Sequence, residues 1–322
     1  MTSLVEPLVL DPARATGRRH VRLLVNPTVS RLRDGDVEAV TRALEPVFFV
    51  TSVHTEAGGH ATELAREAAE EGCDIVAVLG GDGTVSQAAS GLVGTATAMA
   101  CLPAGVTNVF ARAIGTPRDP VVAAERLAAT ADPLVRQVDV GTVNGRHFLY
   151  TAGVGFTAAM ARSAEREPDR KASLGQLHFA ITGLAEIAGR YLRNPPRMRV
   201  QAQGLDAEGV TVIVQNCHAL TYFGPREIRL SEAAGLDTAV LSLTALQQAR
   251  PGVVANIIAR LVLGHAGALA RHHRVDAAPK LREALVTPLD GEPLPVDADG
   301  EYLGEFGRVV FGVEPGALRV VA

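Results

Sequence analysis

The stretch Val76–Leu92, VAVLGGDGTVSQAASGL, decides how the first half of the chain is interpreted. A short apolar run leads into the string Gly-Gly-Asp-Gly-Thr. Apolar residues then recur at i, i+3, i+4 and i+7, from Val85 to Leu92, which is the spacing of one helical face. The pattern predicts a strand, a turn over Gly80–Thr84 and an amphipathic helix directly after it.

Such a turn has the properties of a phosphate-binding loop. Glycines let backbone N–H groups approach a ligand, and the start of a helix favours an anion. A carboxylate beside phosphate, here Asp82, is expected either to have a cation between the two groups or to take part in proton or metal chemistry itself. A magnesium–nucleotide complex would supply the cation. The alternative is a tight turn capped by Asp82. The string lacks the Lys-Ser/Thr pair of a Walker loop and is not a GxGxxG fingerprint. Thr84 and Gln87 together predict a capping box at the start of the helix.

The chain shows two different patterns of apolar residues. Between His20 and Leu102, strand-like and helix-like segments alternate, which predicts a mainly parallel α/β domain. After about Ala131, hairpin-like strands predict an antiparallel sheet or sandwich, interrupted by helices near 174–193 and 252–263. We therefore expect an α/β nucleotide-binding domain over 1–137, completed by 314–322, and a β-sandwich domain over 138–313.

Composition excludes several classes of function. The 322 residues carry a net charge of −4 with a pI near 6.2, which gives nucleic-acid binding no electrostatic support. Three widely spaced cysteines fit neither a disulfide framework nor a CxxC metal site, and they favour a reducing cytoplasm. The N-terminus lacks the order of a signal peptide, and no apolar run approaches the roughly 18 residues of a spanning helix. Any membrane contact is expected to be peripheral.

Four motifs together resemble one family. They are GGDGT at Gly80–Thr84, NP at Asn26-Pro27, LPAGVTNVFAR at Leu102–Arg112 and DADGE at Asp297–Glu301. In this order they are similar to the diacylglycerol-kinase catalytic family, which includes bacterial lipid kinases and sphingosine kinases. The resemblance implies a first domain like those of NAD kinase and phosphofructokinase, a C-terminal β-sandwich, and an active site in the cleft between them. It also implies ATP and Mg²⁺ as cofactors and a lipid substrate met at the inner face of the membrane.

The resemblance also implies site residues by position. Those expected at the nucleotide are Asn26, Thr55, Gly80, Gly81, Asp82, Gly83, Thr84, Gly105, Thr107 and Asn108. Asp299 matches the general base, with Glu301 beside it, and Asp82 is grouped with them as catalytic. Without the resemblance, Asp299–Glu301 is interpreted as a β-turn between short strands. The second Asp-Gly-Glu, at Asp290, is interpreted as a turn, and no metal ligand is assigned.

Departures from the family pattern keep alternatives open. Gln87 stands where the family commonly has Glu, and Val106 stands where it has Thr or Ser. A protein that binds lipid or nucleotide without catalysis is therefore a second hypothesis, and NAD kinase, which shares the glycine loop, is a third and weaker one. The sequence leaves the acceptor open between diacylglycerol and a sphingoid-type lipid, and it leaves the oligomeric state open, with a homodimer as one option.

Overall fold

The computed structural model describes residues 17–56, 58–166, 191, 193–231, 233–253, 256, 260 and 272–321. The helices predicted near 174–193 and 252–263 lie largely outside these residues. The described chain forms two compact units. One runs up to Arg136 and resumes at Arg319, and the other spans Gln137–Leu318.

The first unit is an α/β fold, as the alternating pattern predicts. Its strands are β1 (His20–Val25), β2 (Phe49–His54), β3 (Ile75–Gly80) and β4 (Ala98–Pro103). They are parallel and follow the order β2-β1-β3-β4. The helices are α1 (Asp36–Leu44), α2 (His60–Glu70), α3 (Asp82–Leu92), α4 (Val109–Ala113) and α5 (Pro120–Leu127).

The continuous apolar strands explain why this sheet is central to the unit. Every residue of β3 and of β4 is buried, which is typical of parallel strands covered on both faces. Val320, near the end of the chain, pairs in parallel with Met99 of β4. The C-terminal residues thus supply a further strand to the first unit.

The second unit is built from antiparallel strands. They are β5 (Val135–Val143), β6 (Arg146–Phe148), β7 (Thr151–Val154), β8 (Met198–Ala202), β9 (Leu205–Gly209), β10 (Thr211–Gln215), β11 (Thr221–Phe223), β12 (Arg226–Ile228), β13 (Leu241–Leu246), β14 (Val275–Leu281), β15 (Glu283–Pro288), β16 (Leu294–Ala298), β17 (Glu301–Phe306) and β18 (Val309–Val321). The helix α6 (Phe156–Arg166) follows β7. The final strand β18 carries the chain back into the first unit.

Two sheets of this unit enclose a common apolar core. One has the order β14-β13-β10-β7-β16-β17, and the other contains β18-β15-β8-β9 with β5 and β6. The core takes residues from both, including Phe148, Val200, Val214, Leu243 and Phe311. The antiparallel β-sandwich predicted from the sequence is therefore confirmed. No helix in the described part of the chain has the length and apolar character needed to cross a membrane.

Candidate functional site

In the first unit, the predicted nucleotide-binding residues gather where the parallel strands end. Asn26 directly follows β1, Thr55 follows β2, and Gly80 is the last residue of β3. The loop 104–108 follows β4. In open α/β sheets, ligands bind outside the carboxyl ends of the strands. The fold thus brings these residues to one edge of the sheet, the edge at which such folds bind ligands.

The glycine loop is shorter than the sequence predicts. Gly80 ends β3, Gly81 has an extended backbone with φ −96° and ψ −174°, and α3 already begins at Asp82. Because the helix starts two residues before Thr84, the predicted capping box of Thr84 and Gln87 is wrong. Gly81 as N-cap has no side chain to satisfy the first helical N–H groups. The start of α3 therefore has no side-chain N-cap, and it presents the positive end of the helix dipole.

Asp82 connects this loop to the next one. Its Oδ1 accepts a hydrogen bond from the N–H of Val109, the first residue of α4. Burial raises the pKa of the Cys101 thiol on β4 to about 12, and the charge of Asp82 contributes to that shift. The carboxylate thus has a structural partner in α4. A cation between Asp82 and a phosphate stays a prediction.

The glycines of the loop after β3 and of the loop after β4 differ in how much space surrounds them. A Cβ on Gly80 would lie 2.7 Å from Thr84 Cβ, and one on Gly105 would lie 2.7 Å from Gly81 Cα. These two positions are fixed by packing. A Cβ on Gly83 would meet no atom within 4 Å. Gly83 therefore leaves open space at the start of α3, which a phosphate group could occupy.

Asn26 and Thr55 hold neighbouring loops in place. The Asn26 side-chain amide donates to Thr84 Oγ1 at 2.8 Å, and its Oδ1 accepts from the Thr28 N–H at 3.0 Å and hydroxyl at 2.9 Å. The Thr55 N–H donates to the Val25 carbonyl at 2.8 Å. Thr55 and Thr84 are both buried. These contacts brace the loop edge, and direct contact of the same residues with a nucleotide stays a prediction.

The loop after β4 is closed by a single asparagine. Asn108 has a left-handed backbone with φ 50°, which asparagine tolerates better than most residues. Its Oδ1 accepts from the Gly105 N–H at 3.0 Å, and its Nδ2 donates to the Gly105 carbonyl at 2.8 Å. Between them, Val106 is exposed and Thr107 is half-buried. The loop thus places these two side chains at its tip.

Gln87 has a role that the sequence did not indicate. Its Oε1 accepts from the N–H of Gly59, which precedes α2, at 3.1 Å, and its carbonyl accepts from the Thr62 hydroxyl at 2.8 Å. The two helices pack closely, because a Cβ on Gly91 would lie 2.3 Å from the Thr62 carbonyl oxygen. A glutamate at position 87 could accept the same bond through a carboxylate oxygen. The glutamine is therefore compatible with this contact.

Asp299 lies in the second unit, at the hairpin between β16 and β17. Asp299 and Gly300 both have positive φ, at 49° and 80°, as two-residue type I′ turns require. The β-turn predicted at Asp299–Glu301 is thus present in the structure. Asp299 is only 6% exposed, and its carboxylate accepts hydrogen bonds from the N–H groups of Leu149 at 2.7 Å, Tyr150 at 3.0 Å and Thr151 at 3.1 Å. Three backbone donors therefore fix its orientation.

The neighbouring acidic residues differ sharply in environment. Glu301 is exposed at the start of β17, and Asp290 is exposed in the connection between β15 and β16. Asp297, two residues before Asp299, is 3% exposed. Sequence reasoning did not single out Asp297, although its place in the DADGE motif was a signal.

Among the described residues, no group of three or more acidic, cysteine or histidine side chains could hold a metal ion. Asp237 is exposed.

Comparison with known families agrees with this architecture. Residues 20–143 match the model described as "Diacylglycerol kinase catalytic domain", and residues 151–322 match the "YegS C-terminal NAD kinase beta sandwich-like domain". The chain belongs to the diacylglycerol-kinase family of lipid kinases. The family resemblance predicted from the four motifs is thereby confirmed.

Relatives in this family are named as lipid kinases. A "Diacylglycerol kinase" of Bacillus subtilis is 32% identical over 170 residues, which cover 52% of this chain and 55% of the relative. This alignment therefore spans about half the length of that relative. A "Probable lipid kinase YegS-like" of Pseudomonas aeruginosa strain UCBPP-PA14 is 31% identical over 272 residues, which cover 81% of each chain.

Solved structures of the diacylglycerol-kinase family share the fold. The crystal structure of a putative diacylglycerol kinase from Bacillus anthracis str. Sterne superposes with a TM-score of 0.72 at 22% identity. The match covers 94% of this chain and 96% of that one. At this identity the likeness concerns the fold alone.

Proposed function

We propose that the protein is an ATP-dependent lipid kinase that transfers the γ-phosphate of Mg-ATP to a lipid hydroxyl. The observation that carries the proposal is the uncapped start of α3, where Gly83 leaves open space at the carboxyl edge of a parallel sheet. An anion is favoured at such a place by backbone N–H groups that point away from the helix and by the helix dipole.

The nucleotide phosphates would be held mainly by backbone groups. Gly81 and Gly83 allow close approach, and Thr84 is held by Asn26 within the same turn. Asp82 would act by fixing this loop against α4 rather than by touching phosphate. Thr55 and the loop of Gly105, Thr107 and Asn108 would form the walls of the site.

Mg²⁺ would enter with the nucleotide, because it binds phosphate oxygens readily and keeps several waters. When bound, it neutralises charge on the phosphates during transfer. The described residues supply no ready-made group of metal ligands, so no protein ligand is assigned to it.

Asp299 would serve as the base that steers the proton from the lipid hydroxyl. Three backbone N–H groups bond its two carboxylate oxygens and hold them in one orientation. The carboxylate would accept the hydroxyl proton while the hydroxyl oxygen forms its bond to the γ-phosphorus and ADP leaves. Glu301, exposed next to the turn, would contribute charge rather than accept the proton.

Diacylglycerol is the first acceptor to test, because the B. subtilis relative carries that name. A sphingoid-type lipid is the alternative acceptor. Either lipid would reach the enzyme from a membrane surface, so we propose a protein of the cytoplasm that contacts the inner face of the membrane transiently.

The test is transfer of labelled phosphate from Mg-ATP to diacylglycerol and to sphingosine in mixed micelles. Wild type is compared with Asp299→Asn and with Asp290→Asn, which changes the exposed Asp of the other Asp-Gly-Glu sequence. We expect wild type and Asp290→Asn to label one lipid class, and Asp299→Asn to lose at least 100-fold in rate, within the range for a general base.

Folding must be checked in the same samples. An asparagine at 299 keeps one acceptor oxygen but turns a donor toward one of the three N–H groups, so some stability is expected to be lost. Far-ultraviolet circular dichroism and thermal melts will show whether the variant stays folded at the assay temperature. ATP binding without transfer to any lipid would contradict the kinase assignment and favour a binding protein.

A further inference from the structure

A second carboxylate of the DADGE motif is buried without a complete set of partners. Asp297 is 3% exposed, and its Oδ1 has no hydrogen-bond partner within the described part of the chain. Aspartate is rarely buried to this extent unless it is paired, and buried polar atoms are nearly always satisfied. An exception of this kind calls for a reason other than stability.

The surrounding backbone is shaped to accept this side chain. Asp297 on β16 faces Gly153 on the adjacent strand β7, and the β16–β17 ladder shifts register between Val296 and Asp297. A Cβ on Gly153 would lie 2.8 Å from Asp297 Oδ1 and 2.0 Å from Thr157 Oγ1. The carboxylate and the hydroxyl therefore occupy the same space above Gly153.

Thr157 brings a second unsatisfied atom to this space. It is the second residue of α6, and its buried Oγ1 also has no hydrogen-bond partner within the described residues. The Thr157 hydroxyl lies close enough to the Asp297 carboxylate to lower the pKa of Asp297. The geometry between Thr157 Oγ1 and Asp297 Oδ1 is nevertheless not that of a hydrogen bond. The start of a helix further favours a negative charge here.

Opposing influences set the charge of Asp297. Burial raises its pKa to about 6 and the charge of Asp299 adds to the rise, while the Thr157 hydroxyl and the Gly300 N–H lower it. The other described titratable or charged side chains on elements that contact β16 are Arg146, His147, Arg162, Glu301, Tyr302 and Glu305. Arg162 pairs with Glu305 and lies over the Tyr302 ring, and His147 faces Glu314 at 3.6 Å. Of these described charged groups, only Asp299 contributes to the raised pKa of Asp297.

We propose that Asp297 is a positioning residue whose buried carboxyl group exchanges a proton and so sets the pH range in which Asp299 works as a base. This inference rests on the proposed function of Asp299. Two interacting carboxylates titrate as a pair, so the charge on one changes the proton affinity of the other. When Asp297 is ionised, its negative charge makes Asp299 a stronger proton acceptor.

Proton exchange at Asp297 can be measured without any kinase assay. Because its pKa is raised from 3.8 to about 6, the folded state holds this proton over a pH range in which the unfolded state releases it. Folding is thus favoured when Asp297 is protonated, and this contribution is lost as the pH rises through 6. Asp297→Asn keeps the neutral shape at every pH, so its unfolding equilibrium constant relative to wild type should change ~100-fold between pH 4 and pH 8.

The experiment combines urea unfolding from pH 4 to 8 with kcat/KM for lipid phosphorylation over the pH range in which each variant is folded. Wild type is compared with Asp297→Asn, Thr157→Val and Asp290→Asn, the last as an exposed-carboxylate control. We expect wild-type activity to rise with a midpoint near pH 6, Asp297→Asn to lose this limb, and Thr157→Val to move it to higher pH. Asp290→Asn should match wild type in both measurements.

Each outcome separates the two hypotheses. A pH-independent stability difference between Asp297→Asn and wild type would overturn proton exchange at Asp297, whether or not the protein phosphorylates lipids. An active enzyme whose pH limb is unchanged in Asp297→Asn would overturn the coupling to Asp299 and leave the kinase assignment intact. Absence of kinase activity, with the expected pH-dependent stability, would overturn the proposed function and with it the role assigned to Asp297.

Discussion

Replacing Gly83 by alanine should separate nucleotide binding from folding. Gly83 is the second residue of α3, and a Cβ there would meet no atom within 4 Å apart from its chain neighbours and the backbone of its own helix. Alanine is a better helix former than glycine by about 0.5–1 kcal/mol in a helix interior, and the gain is smaller in the first turn. We therefore expect the free energy of unfolding to stay unchanged or to rise by up to about 0.5 kcal/mol.

The same methyl group should interfere with phosphate binding. If phosphate oxygens lie against the backbone at the start of α3, the added Cβ occupies the space through which they approach. We expect the Kd for Mg-ATP to rise by at least about tenfold, which corresponds to roughly 1.4 kcal/mol. Isothermal titration calorimetry with Mg-ATP measures this, and urea unfolding of the same preparation measures stability.

Gly80→Ala is the matched control. Its Cβ would lie 2.7 Å from Thr84 Cβ, inside the packed turn, so the main effect should be on stability. Overpacking of this kind costs about 1–3 kcal/mol. A Gly83→Ala protein that is folded and binds Mg-ATP as wild type does would refute the placement of phosphate at this turn. A loss of stability in Gly83→Ala equal to that of Gly80→Ala would refute the geometry of the loop itself.

Three further predictions concern single contacts. Asp82→Ala leaves the Val109 N–H without its acceptor and should cost about 1–3 kcal/mol in urea unfolding, and a smaller loss would mean that the contact contributes little. Asp297→Asn should raise the free energy of unfolding by about 3 kcal/mol at pH 8, because a pKa raised from 3.8 to about 6 disfavours the ionised aspartate in the folded state. At pH 4 the same substitution should change the free energy of unfolding little. Equal effects at both pH values would contradict the raised pKa. Gly141→Ala places a Cβ 2.2 Å from Cζ of the buried Phe148 and should lower stability by about 1–3 kcal/mol, and a melting temperature equal to that of wild type would show that the core relaxes freely.

The departures from the family pattern are not evidence against the proposed activity by themselves. Gln87 makes the contact with Gly59 that a glutamate could also make. Val106 is exposed at the tip of its loop, and the half-buried Thr107 lies next to it. A Gln87→Glu substitution therefore tests the effect of a negative charge near the proposed phosphate site without removing the contact with Gly59.

The sequence alone determined the fold class and the family. Alternation of apolar runs with helical spacing predicts a parallel α/β unit because each strand must be covered on both faces, and period-2 runs with tight turns predict the antiparallel sandwich. The order of the motifs GGDGT, LPAGVTNVFAR and DADGE identified the family. These are local patterns, and local patterns are what a single sequence displays directly.

Only the tertiary structure decided which partner each polar side chain has. Asp82 accepts a hydrogen bond from the N–H of Val109, and Gln87 accepts one from the N–H of Gly59. The predicted capping box was wrong because α3 begins at Asp82, before Thr84. Asp299 accepts from N–H groups about 150 positions away, and Asp297 lies over Gly153 beside Thr157. Hydrogen-bond partners and burial depend on which distant segments meet, and neither composition nor spacing encodes that pairing in a form that can be read from one sequence.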